Sequence, residues 1–199
     1  ELVVEGSAHS GISVLSGTTS QGSIYFGDSG DNDIAGIVYN HNNNNLTLRS
    51  GGLNTVNIDG TGAMTKPYQP SFSAYAGSGQ LNQPATTWIT GEFDTEIFDV
   101  NADYNNSTYT FTAPVTGKYL FTVMWTVNNF TGRCYSYFNT SNRNYTQSYY
   151  TVTDGGGNSF SGSTIADMDA SDTCKWQVYA YDDSAWDLQG YYFTGTLLS

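Results

Sequence analysis

Five short stretches in the first 66 residues constrain this chain more than any other feature. They are ISVLSG, GSIYFGD, AGIVYNH, NLTLRSG and TVNIDG, set between turn signals such as GDSGDND and NHNNNN. Ile24 and Phe26 alternate with Tyr25, Leu46 and Leu48 flank Thr47, and Val56 and Ile58 flank Asn57, so each stretch reads as a strand with one apolar face. Those faces must be covered. A glycine-rich segment of this size buries too little surface by itself to offset the entropy of ordering it. A disordered linker is the alternative, but linkers lack regularly alternating Ile, Val, Leu and Phe. The pattern predicts an intertwined β structure built from several chains.

The remainder has a different composition. Residues 1–66 carry 11 of the 22 glycines, two of the 16 tyrosines and no Trp, and the rest of the chain holds all four tryptophans. Lys66-Pro67-Tyr68 marks the joint, because Pro67 and Pro70 interrupt any sheet ladder. Two domains are expected, 1–66 and 67–199. After Gly117, Tyr119, Phe121, Val123, Trp125 and Val127 alternate with Leu120, Thr122, Met124 and Thr126. CKWQVYAY sets Cys174, Trp176, Val178 and Ala180 against Lys175, Gln177, Tyr179 and Tyr181, and YYFTGTLL closes the chain as a strand pinned into the sheet. Many antiparallel strands without a helical period predict an all-β sandwich or jelly roll.

Both halves resemble known families. The run from Ser10 to Gly52 is similar to the repeated shaft of tailed-bacteriophage fibres, especially those of phages infecting marine cyanobacteria. The residues that carry this are Gly22 to Asp28, Gly36 to His41 and Leu46 to Leu48, and LNTVNIDGTGAMT resembles the units that follow in those fibres. Such shafts are homotrimers. Residues 70 to 198 resemble the globular head of complement C-one-q, within the tumour-necrosis-factor-like jelly rolls. PSFSAY, FDTEIFDVNADYN, YTFTAPVTGKYLFTVMW, DTCKWQVYAYDD and YYFTGTLLS match in the family's order. The chain departs from the pattern at Ala102-Asp103, and its segment NRNYTQSYYTVTDGGGNSFSG reads as an idiosyncratic loop. The resemblance implies an intertwined trimeric β fibre segment, followed by a jelly-roll head that clamps three shaft ends in register. It also implies that the strands of Cys134 and Cys174 flank a third strand of one sheet, about 9 to 10 Å apart and beyond disulfide reach. Phage proteins fold in a reducing cytoplasm, so two free, largely buried thiols are expected.

Charge narrows the partners. A net charge of −12 with six Lys and Arg offers no basic footprint for nucleic acid, and argues against an anionic membrane surface. No apolar run is long enough to span a bilayer, so no membrane insertion is expected. Glu1 is not an initiator Met, and the chain is expected to be a fragment or a processed product. His9 and His41, the only imidazoles, lie in the shaft and away from any nucleophile, and read as polar turn residues. Lining a three-chain axis, the same two could instead be tripled by symmetry into a metal site. Glu92, Asp94 and Glu96 alternate as a solvated face rather than as the carboxylate pair of a glycosidase. No catalysis is expected and no cofactor is required.

Two candidate sites stand out. Asp182, Asp183 and Asp187 cluster beside Trp186 as a candidate calcium loop. Their spacing lacks the EF-hand order, and an acidic surface turn is the simpler reading. Tyr145, Tyr149, Tyr150 and Trp186 fall in expected loops, where rings stack on sugar faces. Six Asn-x-Ser/Thr sequons match chance in so Asn- and Thr-rich a chain. These features point to the homotrimeric receptor-binding tip of a tail fibre on the virion, continuous with an upstream shaft. It would adhere to a host-surface glycan or outer-membrane component. A secreted or surface lectin-like adhesin of cellular origin, or a structural cap that registers the trimer, are the alternatives.

Overall fold

A computed structural model of the chain describes residues 2–181 and 185–199, without the side chains of Gln147 and Ser148. It divides into two units, Glu1–Tyr68 and Gln69–Ser199. In the first, β1 (Gln21–Phe26), β2 (Ala35–Asn40), β3 (Asn45–Ser50), β4 (Leu53–Ile58) and β5 (Met64–Thr65) form one antiparallel sheet in chain order. Gly51 and Gly52 join β3 to β4 with φ of 59° and 76°, the double positive φ of a tight hairpin turn. The stretch ISVLSG is not a strand, a difference from the sequence reading, because it finds no ladder within this chain.

The register aligns the apolar alternation of four strands. Ile24 lies opposite Ile37, Ile37 opposite Leu48, and Leu48 opposite Val56. Ile24, Ile37 and Leu48 stay exposed, as do Phe26 and Met64. The sheet is a single layer, so no second layer of this unit covers that row.

The second unit comprises β6 (Ser71–Tyr75), β7 (Gln80–Gln83), β8 (Trp88–Thr90), β9 (Thr95–Val100), β10 (Tyr104–Asn105), β11 (Thr110–Thr112), β12 (Gly117–Asn128), β13 (Gly132–Thr140), β14 (Asn144–Val152), β15 (Asn158–Met168), β16 (Thr173–Tyr181) and β17 (Trp186–Leu197). One sheet runs β15-β12-β17-β6-β9, with β7 also on β17. The other runs β10-β11-β16-β13-β14, with β8 also on β16. This is an all-β jelly roll. Every inward residue anticipated on β12 and β16 is buried, from Tyr119 to Val127 and from Cys174 to Ala180. The rings of Phe72 and Tyr104 stack with centroids 4.5 Å apart, and Phe193 meets Phe72 edge-on at 5.0 Å. Burying each such ring contributes about 1.5–3 kcal/mol. Gly195 lets β17 pass beneath them, since a Cβ there would meet Phe72 at 2.5 Å and Phe121 at 2.7 Å.

The closing strand is pinned as anticipated. It lies between β12 and β6, and the Leu198 N–H donates to the Lys118 carbonyl at 2.8 Å. The segment read as an idiosyncratic loop is instead β14 and the first five residues of β15, joined by a bend. Its Asn, Ser and Gly content favours turns, but its Tyr and Thr residues pair with β13 in a long hairpin, and that pairing overrides local propensity.

The strand order assumed for the cysteines is corrected. β13 and β16 are direct neighbours, with no strand between them. Register keeps the thiols apart instead: Cys134 faces Ala180 and Cys174 faces Thr140, six residues along the ladder, or about 20 Å. Both cysteines are free and buried. Burial pushes the Cys134 thiol up to about 12 and the Cys174 thiol well above the ordinary range. Iodoacetamide at pH 8 is therefore expected to leave the native protein unmodified and to add two alkyl groups after denaturation without reductant. Resistance to alkylation until a reductant is added would contradict the register.

Candidate functional site

The outward face of the β8-β16-β13-β14 sheet is the chain's most distinctive surface. Alternation turns Cys134, Ser136 and Phe138 into the core, which leaves Arg133, Tyr135, Tyr137 and Asn139 on the other side of β13. On β16 the same rule puts Lys175, Gln177, Tyr179 and Tyr181 outward. Pairing then brings four rings into one row across four strands. Tyr149 lies opposite Tyr135, Tyr135 opposite Tyr179, and Tyr179 opposite Trp88. Three strand spacings make that row about 14 Å long.

The rings touch along it. Tyr135 sits 5.1 Å from Tyr149, Trp88 5.1 Å from Tyr179, and Trp88 stacks on Tyr137 at 4.5 Å. Tyr181 extends the patch, 5.0 Å from Tyr179 and 5.6 Å from Tyr135. Loss of water around the Tyr135 hydroxyl, with Tyr181 adding to it, raises its pKa above the ordinary phenol range. It stays protonated and able to donate. A polar line borders the rings: Asn139 donates its side-chain N–H to Gln177 Oε1 at 2.8 Å, and Gln177 donates to Thr90 Oγ1 at 3.1 Å. A pocket of about 480 Å³ opens among Gly132, Arg133, Tyr135 and Tyr181. Flat rings beside amides and hydroxyls are the chemistry that holds a sugar: ring faces take its C–H surfaces and polar groups take its hydroxyls.

Of the four aromatic residues singled out from sequence, only Tyr149 belongs to this surface, at 51% exposure. Tyr145 and Tyr150 turn the other way and pack half-buried against the core. The cause is a bulge: Ser148 faces Ser136 and Thr146 faces Tyr137, so β14 carries one extra residue and both tyrosines land inward. Tyr145 accepts the Asp167 N–H at 3.0 Å, and Tyr150 lies 4.0 Å from Phe160 and donates to the Ser161 carbonyl. Trp186 is no loop residue. It opens β17, is fully buried, and donates to the Pro84 carbonyl at 3.4 Å. The reading missed Trp88, Tyr135 and Tyr137. The signal for Tyr179 and Tyr181 was present in the alternation of CKWQVYAY.

Of the acidic cluster read as a candidate calcium loop, only Asp187 lies among the described residues. Asp182 and Asp183 lie outside the described residues. Asp187 is on β17, where Oδ1 accepts the Asn82 N–H at 2.8 Å and Oδ2 accepts the Asn129 side chain at 2.7 Å. Both oxygens of the Asp187 carboxylate are thus engaged by protein donors. Among the described residues no three His, Cys, Asp or Glu side chains gather as a metal set. Glu92, Asp94 and Glu96 are exposed, and Asp94 Oδ1 accepts the Gly77 N–H at 2.8 Å. In the first unit, His41 meets Tyr39 edge-on at 4.8 Å.

Known proteins share this architecture. Residues 71–198 match the family described as the C1q domain. The globular domain of zebrafish complement 1qA protein is similar with a TM-score of 0.52 and 19% identity, covering 66% of this chain and 98% of that one. Murine APRIL at pH 8.0 is similar with a TM-score of 0.50 and 10% identity, covering 65% of this chain and 99% of its own. At such identities the likeness speaks to the fold. No curated protein matches the chain. With its matched span and its jelly roll of the tumour-necrosis-factor-like class, the chain belongs to the C1q domain family.

Proposed function

We propose that the chain is the homotrimeric receptor-binding tip of a phage tail fibre, attaching without catalysis to a host-surface glycan or outer-membrane component. The observation that carries this reading is the pairing of an uncovered apolar β sheet in the first unit with an exposed aromatic surface on the second. Domains of this class form homotrimers. The outer face of β15-β12-β17-β6-β9 suits that contact, since Met124, Ile165, Tyr192 and Phe98 are exposed there. Gly162, Ser161, Ser163 and Thr122 line a pocket of about 430 Å³ beside Met124 and Tyr192, where small side chains leave room for a neighbour's. The row Ile24, Ile37, Leu48 and Val56 would be covered by two further copies of the shaft sheet, continuous with the shaft upstream. Three aromatic surfaces per tip then convert weak single contacts into firm attachment through effective concentration. No cofactor enters this reading.

The test uses the full chain, fluorescently labelled, on cyanobacterial cells before and after periodate oxidation of surface sugars. A mass three times the 21.6 kDa chain is expected in sedimentation, with cell retention that periodate abolishes. Retention that survives periodate but not protease assigns the receptor to an outer-membrane protein. A monomer, or a trimer that no cell retains, overturns the reading.

A further inference from the structure

The strands beneath the aromatic surface carry basic side chains and, like most strands of this chain, no acidic ones. The chain carries 18 Asp and Glu, yet β8, β13, β14 and β16 contain none. They do contain Arg133 and Lys175, and Arg143 directly precedes β14. The ion pairs among the described residues are Arg49 with Asp33 and Lys118 with Asp167. Arg133, Arg143 and Lys175 enter neither. Arg133 lies 5.9 Å from the centroid of Tyr149, on the same face as the rings, and stands opposite Tyr181. Lys175 is on that face six residues from Tyr181, so the two cations bracket the rings at about 20 Å.

We propose that this face binds an acidic oligosaccharide, a chain of carboxylate-bearing sugars laid along β13 and β16 from Arg133, over Tyr135 and Tyr179 and beside Trp88, to Lys175. The inference deepens the adhesive reading above and rests on it. Sugar rings stack on the aromatic faces, and hydroxyls meet the remaining N–H groups of Asn139 and Gln177. Carboxylates pair with Arg133, whose N–H fork donates to them bidentately, and with Lys175 as a point charge. A net charge of −12 does not forbid this. Screening limits charge effects to about 8–10 Å at physiological salt, so the groups next to Arg133 and Lys175, not the net charge, set the local sign. The span between the cations fits an oligomer rather than a single sugar.

The experiment measures binding of polygalacturonate, alginate and hyaluronan fragments to the full chain, beside their carboxyl-reduced counterparts. Trp125, Trp176 and Trp186 are buried while Trp88 is 40% exposed, so a change in tryptophan emission reports on the platform. At least one acidic polymer is expected to bind and to shield Trp88 from acrylamide. Its reduced form, and the double variants Trp88→Ala/Tyr179→Ala and Arg133→Gln/Lys175→Gln, are expected to bind roughly tenfold more weakly. Unchanged thermal unfolding certifies the variants. Should the aromatic variant misfold, the acrylamide protection of the native chain decides instead. Equal affinity for the reduced polymers overturns the acidic class, and variants that bind normally overturn the location. If no acidic polymer binds while the cells still retain the chain, this proposal fails and adhesion stands. If the cells release it too, both fail.

Discussion

Residues 67–199 expressed alone are expected to fold and sediment as a trimer, whereas residues 1–66 alone remain unfolded and monomeric. The head keeps everything its core needs. All four tryptophans lie in it, and the ties at its start survive the cut: Leu197 donates to the Pro70 carbonyl at 2.9 Å, and Gln69 donates to the Leu197 carbonyl at 2.8 Å. The shaft sheet keeps almost nothing. Val38 and Thr47 are its buried side chains beyond glycine, while ordering each residue costs about 1–2 kcal/mol of backbone entropy. Fused to a trimeric head, three shaft sheets meet at high effective concentration, and most of the association entropy has already been spent. Full-length protein is therefore expected to unfold at a higher temperature than the head alone. Circular dichroism and sedimentation velocity on the two fragments check this, and a self-assembling shaft or a monomeric head contradicts it.

Replacing Trp186 with Ala is expected to cost about 3–5 kcal/mol of stability and to abolish most soluble head. The ring is fully buried against Phe130 at 6.2 Å, and its N–H reaches the Pro84 carbonyl. Truncation leaves a large cavity and strands that carbonyl. A domain of ordinary stability, about 5–15 kcal/mol, loses a large share of it. Tyr149→Ala, on the exposed face, is expected to shift stability by no more than about 0.5 kcal/mol while weakening attachment. Chemical denaturation of both variants separates the roles. A mild Trp186→Ala, or a strongly destabilising Tyr149→Ala, would reverse the placement of the two rings.

Local alternation determined much of this protein in advance. A period of two along GKYLFTVMWTV and CKWQVYAY assigned each side chain to the core or to the surface, and the all-β class followed from it. The single apolar face of each shaft strand was legible for the same reason, since Ile24, Leu48 and Val56 follow the pleat whatever they pair with. Register and strand order were not legible, because they are set by contacts between segments remote in sequence. A one-residue bulge in β14 turned Tyr145 and Tyr150 inward and left Tyr149 outside. Adjacency of β13 and β16 kept Cys134 and Cys174 apart by offset along the ladder, not by an intervening strand. The row Tyr149, Tyr135, Tyr179 and Trp88 draws one ring from each of four strands, and only the tertiary pairing, which no local pattern encodes, makes one surface of them.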